Sequence, residues 1–234
     1  MTTTRILAAL SAAAGIAQAG DLYYQDFEST SGYTTSVPEF SDGSKDYFHR
    51  TDGGGMSSSV NYNGASGYYF AGQDIDSPPG GSIDLPVSLT SDTFSIAGAT
   101  DIMFSVDLAE DDDGSNQDWD GPDFVSFEYS IDGGAWTNIF TVESDIAINA
   151  FNGEPEVNGV AVTDTFSTFS ADLSALSGST LAIRVLWDLD SGDEDLAIDN
   201  IRVTGNVVVV PLPAAAWGGL GMLGLMAGVR MRRK

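Results

Sequence analysis

The sequence predicts an all-β antiparallel sandwich, and three observations predict it. Apolar and polar residues alternate with period two in several segments, glycine-containing turn dipeptides separate those segments, and no helical period occurs before Ala214.

Taken from the N-terminus, Arg5, an apolar stretch over 6–17 and the small-x-small tripeptide Ala17-Gln18-Ala19 read as a signal peptide over residues 1–19, with the mature chain starting at Gly20. A buried N-terminal helix is the alternative. It is disfavoured because no acidic residue balances the stretch and composition turns polar, aromatic and β-prone at Asp21. Strands are expected around 22–27, 67–72 and 93–96. Ile102, Phe104, Val106 and Leu108 then alternate with Met103, Ser105 and Asp107, and Val125, Phe127, Tyr129 and Ile131 with Ser126, Glu128 and Ser130. Such segments are half-buried strands. Further strands are expected at 136–142 and 165–172, followed by one in which Leu181, Ile183, Val185, Trp187 and Leu189 alternate with mostly polar residues. In the closing segment Leu196 and Ile198 give way to Ile201 and Val203, a change of parity that predicts a bulge at Asp199-Asn200. Turns are expected at Asp52-Gly53, Asp113-Gly114, Asp132-Gly133 and Ser191-Gly192.

Composition bounds the function. With 234 residues there is room for one medium domain and short end segments, and 42% hydrophobic content is enough to build its core. The absence of Cys excludes disulfides, thiol nucleophiles and Cys-based metal sites, and a single His, His49, excludes His-rich centres. Residues 20–206 hold all 34 Asp and Glu against Lys45, Arg50, Arg184 and Arg202, a net charge of −30. That excludes non-specific binding of nucleic acid and implies either a solvated acidic face or cations bound to it.

After residue 206 the chain changes character. An uncharged run over 207–229 contains Pro211 and Pro213 and ends in Arg230, Met231, Arg232, Arg233 and Lys234. A helix over 214–231 is roughly 27 Å long, close to the thickness of a hydrocarbon core, and the basic end should stay in the cytoplasm. The segment Val210-Pro211-Leu212-Pro213-Ala214, followed by an apolar helix and a basic stop, resembles the VPLPA-type sorting signals, relatives of the PEP-CTERM signals of Gram-negative bacteria. The resemblance covers residues 207–234 and implies recognition by an exosortase-like membrane protease and transfer to the cell surface or extracellular matrix. A plain membrane anchor predicts the same orientation without cleavage.

Within residues 20–206, Asp26-Phe27-Glu28, the stretch from Glu128 to Trp136 and the closing Ala197-Ile198-Asp199-Asn200-Ile201-Arg202-Val203 resemble the MAM-like and cleaved-adhesin-like jelly-roll domains of secreted proteins. The resemblance implies a binding or adhesive role, supplies no catalytic residues, and implies a structural ion near Glu28 and Asp199, where first and last strands meet.

Two acidic clusters are candidate calcium sites. Eight carboxylates fall within residues 107–123, among them Asp107, Glu110, Asp111, Asp113, Asp120 and Asp123, interspersed with Gly114 and Gly121. Calcium takes six to eight such hard oxygens. The second cluster, over 188–195, contributes Asp190 and Asp193. Neither matches the EF-hand register, and for each a solvated loop is the competing reading. Ser130-Ile131-Asp132-Gly133-Gly134-Ala135-Trp136 approaches an Asp-box hairpin but occurs once, which favours a tight structural turn. Trp119, set in the acidic loop without apolar alternation around it, is the candidate ring for stacking on a sugar. No Ser-His-Asp setting is evident for His49. The sequence thus predicts an exported, non-catalytic binding or structural domain, calcium-stabilised, with extracellular polysaccharide as its ligand and signal peptidase and an exosortase-like protease as its processing partners. A secreted carboxylate-dependent hydrolase such as a glycosidase is the alternative.

Overall fold

A computed structural model describes residues 16–111, 119, 121–144 and 153–209. The expected sorting motif and membrane helix, most of the signal peptide, and Asp113 and Asp120 lie outside these residues. Among the described residues no helix is long and apolar enough to cross a membrane.

The strands are β1 (Ile16–Gln25), β2 (Tyr33–Thr35), β3 (Phe40–Ser41), β4 (Tyr47–Thr51), β5 (Tyr69–Gln73), β6 (Val87–Ser91), β7 (Phe94–Ser95), β8 (Ala99–Ala109), β9 (Phe124–Ile131), β10 (Thr137–Ser144), β11 (Pro155–Val157), β12 (Val160–Ala161), β13 (Ser167–Asp172), β14 (Thr180–Asp188) and β15 (Asp195–Val209). They form two antiparallel sheets packed face to face. The first has the order β13-β8-β15-β5-β4-β3, with β1 also on β15; the second has the order β12-β11-β10-β9-β14-β6-β2, with β7 also on β14. β15 organises the first sheet: one edge pairs along β8, and the other is shared between β5 near its start and β1 further on. β1 begins upstream of the expected mature N-terminus, with Ile16 opposite Val209.

The period-two strands bury the faces their alternation predicts. Ile102, Phe104, Val106 and Leu108 on β8 face Val125 and Phe127 on β9 and Leu181, Ile183, Val185 and Trp187 on β14, all of them buried. Aromatic contacts tie the layers together: Phe104 packs on Phe127 at 5.9 Å between ring centroids, and Phe48 packs edge-on against Trp187 at 5.8 Å. Fully burying each such side chain contributes about 1.5–3 kcal/mol. The parity change in β15 is a bulge, since its register on β8 shifts between Asp199 and Arg202 and Asn200 takes φ 51°. Asp132 and Gly133 both have positive φ, 50° and 71°, and Gly134 N closes the turn on Ile131 O at 2.8 Å. That geometry suits a tight hairpin.

A second, smaller core lies on the outer face of the first sheet. Tyr47, Tyr69, Ala71, Ala109 and Ala197 are covered there by Met56, Val60, Tyr62 and Phe166. As a result β5 is buried on both faces, and the acidic end of β15 starts beneath a lid of protein.

Candidate functional site

The two acidic clusters of the sequence meet in space. Asp123 stands immediately before β9, while Asp190 and Glu194 flank the turn between β14 and β15; the carboxylate oxygens of all three lie within 4.8 Å of one another. Asp123 and Glu194 are buried, at 3% and 2% exposure, and Asp190 is exposed. Glu194 is held in place by the loop it belongs to, because Oε2 accepts the amides of Asp190 at 3.0 Å and Ser191 at 2.9 Å. Burial first, then the charge of Asp123 and the hydrogen bond with it, push the Glu194 carboxyl up to about 9. At neutral pH this arrangement therefore holds a proton or needs a cation. Three convergent carboxylates suit a hard divalent ion.

A second acidic group forms where β1, β8 and β15 meet. The register sets Asp199 opposite Asp107, and the bulge at Asn200 turns its side chain between them: Nδ2 donates to Asp107 Oδ2 at 2.9 Å and to Asp199 Oδ2 at 3.2 Å. Asn200 Oδ1 accepts Tyr24 Oη at 2.5 Å, and Thr168 Oγ1 donates to Asp107 Oδ1. Tyr24, Asp107, Asp199 and Asn200 line a cleft of about 270 Å³ together with Asp26, Glu28 and Phe166. Asp199 is pushed up to about 7, chiefly by burial and further by the charges of Asp107, Asp26 and Glu28, against the lowering effect of the Asn200 amide. Arg50 lies alongside but gives its guanidinium to the carbonyls of Phe27 and Glu28 and to the ring of Tyr68.

The other predicted ligands separate. Asp111 and Asp193 line a cavity of about 100 Å³ with Lys45, Ser57, Gln73 and Asp195, and Lys45 Nζ forms an ion pair with Asp193. Asp195 Oδ1 accepts Tyr62 Oη at 2.7 Å and the Asp111 amide at 3.0 Å, and Tyr62 Oη in turn meets Tyr47 Oη at 2.9 Å. Glu110 is buried at the end of β8, with its amide on Thr163 O. Sequence reasoning chose Asp123 and Asp190 but left out Glu194, whose position four residues after Asp190 was the signal that could have found it.

The outer face of the second sheet is polar. Register places Asn138, Glu128, Arg184, Thr90 and Thr34 in one row across β10, β9, β14, β6 and β2, with Thr141, Ser126, Leu186 and Ser88 in the next. Arg184 grips Glu128 Oε2 through both Nε, at 2.8 Å, and Nη2, at 2.5 Å. Its guanidinium lies 4.4 Å from the ring of Trp136. Asn138 Nδ2 links Ser126 Oγ at 2.8 Å to Thr141 Oγ1 at 2.9 Å. Trp119 corrects an expectation: it is 1% exposed and packs in the main core, with its carbonyl accepting Ser144 Oγ, so its indole is no stacking platform. The acidic setting suggested exposure because core contacts made by an isolated aromatic leave no periodic trace. Trp136, only partly buried, is the indole that this face offers instead.

His49 sits on β4 with its Nε2 lacking a hydrogen-bond partner among the described residues, and burial lowers its pKa. No hydroxyl–imidazole–carboxylate chain is built on it among the described residues.

No family model matches the sequence, and no curated protein does. Among solved structures the chain is similar to the K3 cleaved adhesin domain of Lys-gingipain from Porphyromonas gingivalis w83, with 14% identity, 79% of this chain and 99% of that one covered, and a TM-score of 0.46. It is also similar to the CBM22-1 xylan-binding domain of Paenibacillus barcinonensis Xyn10C, with 12% identity, 85% and 100% covered, and a TM-score of 0.40. A Stig cyclase from Fischerella sp. TAU matches at 17% identity, 80% and 90% covered, and the same TM-score of 0.40. Binding domains and an enzyme stand side by side in this set, so the functional argument rests on the residues of this chain.

Proposed function

We propose that the chain is an exported protein whose β sandwich is a non-catalytic binding domain for extracellular polysaccharide, stabilised by calcium. The observation that carries the binding reading is the row Asn138, Glu128, Arg184, Thr90 and Thr34 across the open face of the second sheet. It offers a dense set of hydrogen-bond donors and acceptors, an ion pair that fixes their orientation and an indole for stacking. That combination suits a neutral, hydroxyl-rich ligand. Calcium enters at Asp123, Asp190 and Glu194, where the ion replaces a shared proton and joins two loops that approach from different strands.

A glycan array combined with a hydrolysis screen tests this reading. Sugar binding without turnover, lost in Arg184→Ala and Trp136→Ala, is the expected result. The hydrolase reading draws on one observation, the raised Asp199 carboxyl opposite Asp107 in the cleft. Turnover abolished by Asp199→Asn would establish that reading in place of the first.

Export completes the proposal. Signal peptidase acts after Ala19, leaving β1 to begin at Gly20 and removing the pairing of 16–19 with 206–209. An exosortase-like protease acts near Val210, Pro211, Leu212, Pro213 and Ala214, just beyond the end of β15, and the protein passes to the surface or matrix of a Gram-negative cell. Mass spectrometry of the surface fraction should find a C-terminus near Pro213; an intact Lys234 would reduce the segment to an anchor.

A further inference from the structure

The cavity beside Gln73 holds an unanswered acceptor. Pairing of β4, β5 and β15 sets Tyr47, Gln73 and Asp195 in one row on the covered face of the first sheet. Gln73 is 3% exposed, and its Nε2 donates to Gly192 O at 2.7 Å. That bond fixes the orientation of the amide, because a flipped amide would set oxygen against a carbonyl oxygen. The remaining amide atom is therefore Oε1, an acceptor, and it is buried with no hydrogen-bond partner among the described residues. Leaving such an atom unsatisfied costs about 1–3 kcal/mol.

Most of the other side chains lining this cavity carry oxygen. Asp111, Asp193 and Asp195 line the same cavity, as do Ser57 and Ser59. The carboxylates are already oriented from behind: Asp111 Oδ1 accepts the Asn61 amide at 3.0 Å, and Asp195 Oδ1 accepts Tyr62 Oη. At about 100 Å³ the space is large enough for an ion with bound water. Among the described residues the one cationic group lining it, Lys45 Nζ, belongs to a half-exposed side chain.

We propose that this cavity is a second calcium site, with Gln73 Oε1 as its neutral ligand and the carboxylates of Asp111, Asp193 and Asp195 supplying its charge. It rests on the calcium reading of the acidic loops and is separate from the triad of Asp123, Asp190 and Glu194. The ion would join three segments, β5 at Gln73, the chain just after β8 at Asp111 and the turn into β15 at Asp193 and Asp195, beneath the cover at 57–60. A neutral amide oxygen and carboxylates are hard ligands of the kind calcium takes, and their number and charge set its affinity.

Equilibrium dialysis of the full chain against calcium tests the proposal. Gln73→Leu should bind one equivalent fewer than the wild type, while Asp190→Asn should lose the triad's equivalent and keep this one. Because Leu at 73 can disturb β5, Gln73→Glu provides the second arm: the added charge should tighten calcium at this site by about tenfold and lower the melting temperature in chelator. Wild-type stoichiometry and affinity in both Gln73 variants would overturn the proposal, and if Asp190→Asn still lost its equivalent the triad would stand alone. A wild type that binds no calcium at all would remove both sites.

Discussion

Asp123 and Glu194 come from loops on two neighbouring strands, yet their carboxylates lie within 4.8 Å of each other while both side chains are almost wholly shielded from water. Two buried carboxylates at this separation cannot both ionise freely, so the pair keeps a proton or accepts a cation. Much of the behaviour of the protein follows from that choice.

The first consequence concerns pH in the absence of metal. Glu194 is pushed up to about 9 and Asp199 to about 7, mainly by burial. A carboxyl whose folded pKa exceeds its unfolded value binds its proton more tightly when folded, so its stabilising effect is present at low pH and lost as pH rises through the folded pKa. The metal-free protein should therefore melt at a lower temperature at pH 9 than at pH 6, and scanning calorimetry in chelator reads the difference. A melting temperature that rises from pH 6 to pH 9 would contradict the assignment.

Removing one charge from the pair should act in opposite directions with and without metal. Asp123→Asn keeps the size of the side chain and relieves the repulsion on Glu194, so in chelator it should raise stability by on the order of 1 kcal/mol. In millimolar calcium the same variant should be less stable than the wild type. Chemical denaturation under the two conditions checks the crossover.

Packing offers a prediction independent of charge. Gly72 lies in β5 between the layers, where an added Cβ would sit 2.9 Å from Ile75 Cδ1 and 3.2 Å from Trp187 Cε3. Gly72→Ala should destabilise the domain by about 1–3 kcal/mol, as overpacking of a close-packed core does. Its calcium stoichiometry should not change.

The long strands with one buried face were legible in the sequence, whereas β6, five residues long with Val87 and Leu89 buried, was missed because so short a run shows its alternation only once or twice. β8 and β14 alternate because each packs one face against the opposite sheet. β5 was found only approximately and β4 was missed, since residues 56–62 cover their outer face and replace polar residues with Tyr47, Tyr69 and Ala71. β2, β3, β11 and β12 are two or three residues long, too short for a period to show. At the site, the bulge at Asp199-Asn200 could be read from parity. Acidic residues in sequence gave the ligand types but no grouping, because only the adjacency of β9 and β14 brings Asp123 to Asp190 and Glu194. Gln73 carried no signal at all: a lone glutamine in a strand becomes notable only when its oxygen is seen buried without a donor.

Thermal melts of the full chain in mild detergent, in millimolar calcium, in sodium chloride of matched ionic strength and in chelator, test the central claim most directly. An ion bound only by the folded state stabilises it by about 2.7 kcal/mol at a hundred times its dissociation constant, which for a chain of this length raises the melting temperature by about 5–10 °C. Calcium should raise the melting temperature by such an increment beyond the sodium control, and less so in Asp190→Asn. Identical melting temperatures in calcium and in matched sodium chloride would contradict it, leaving only diffuse screening of an acidic surface.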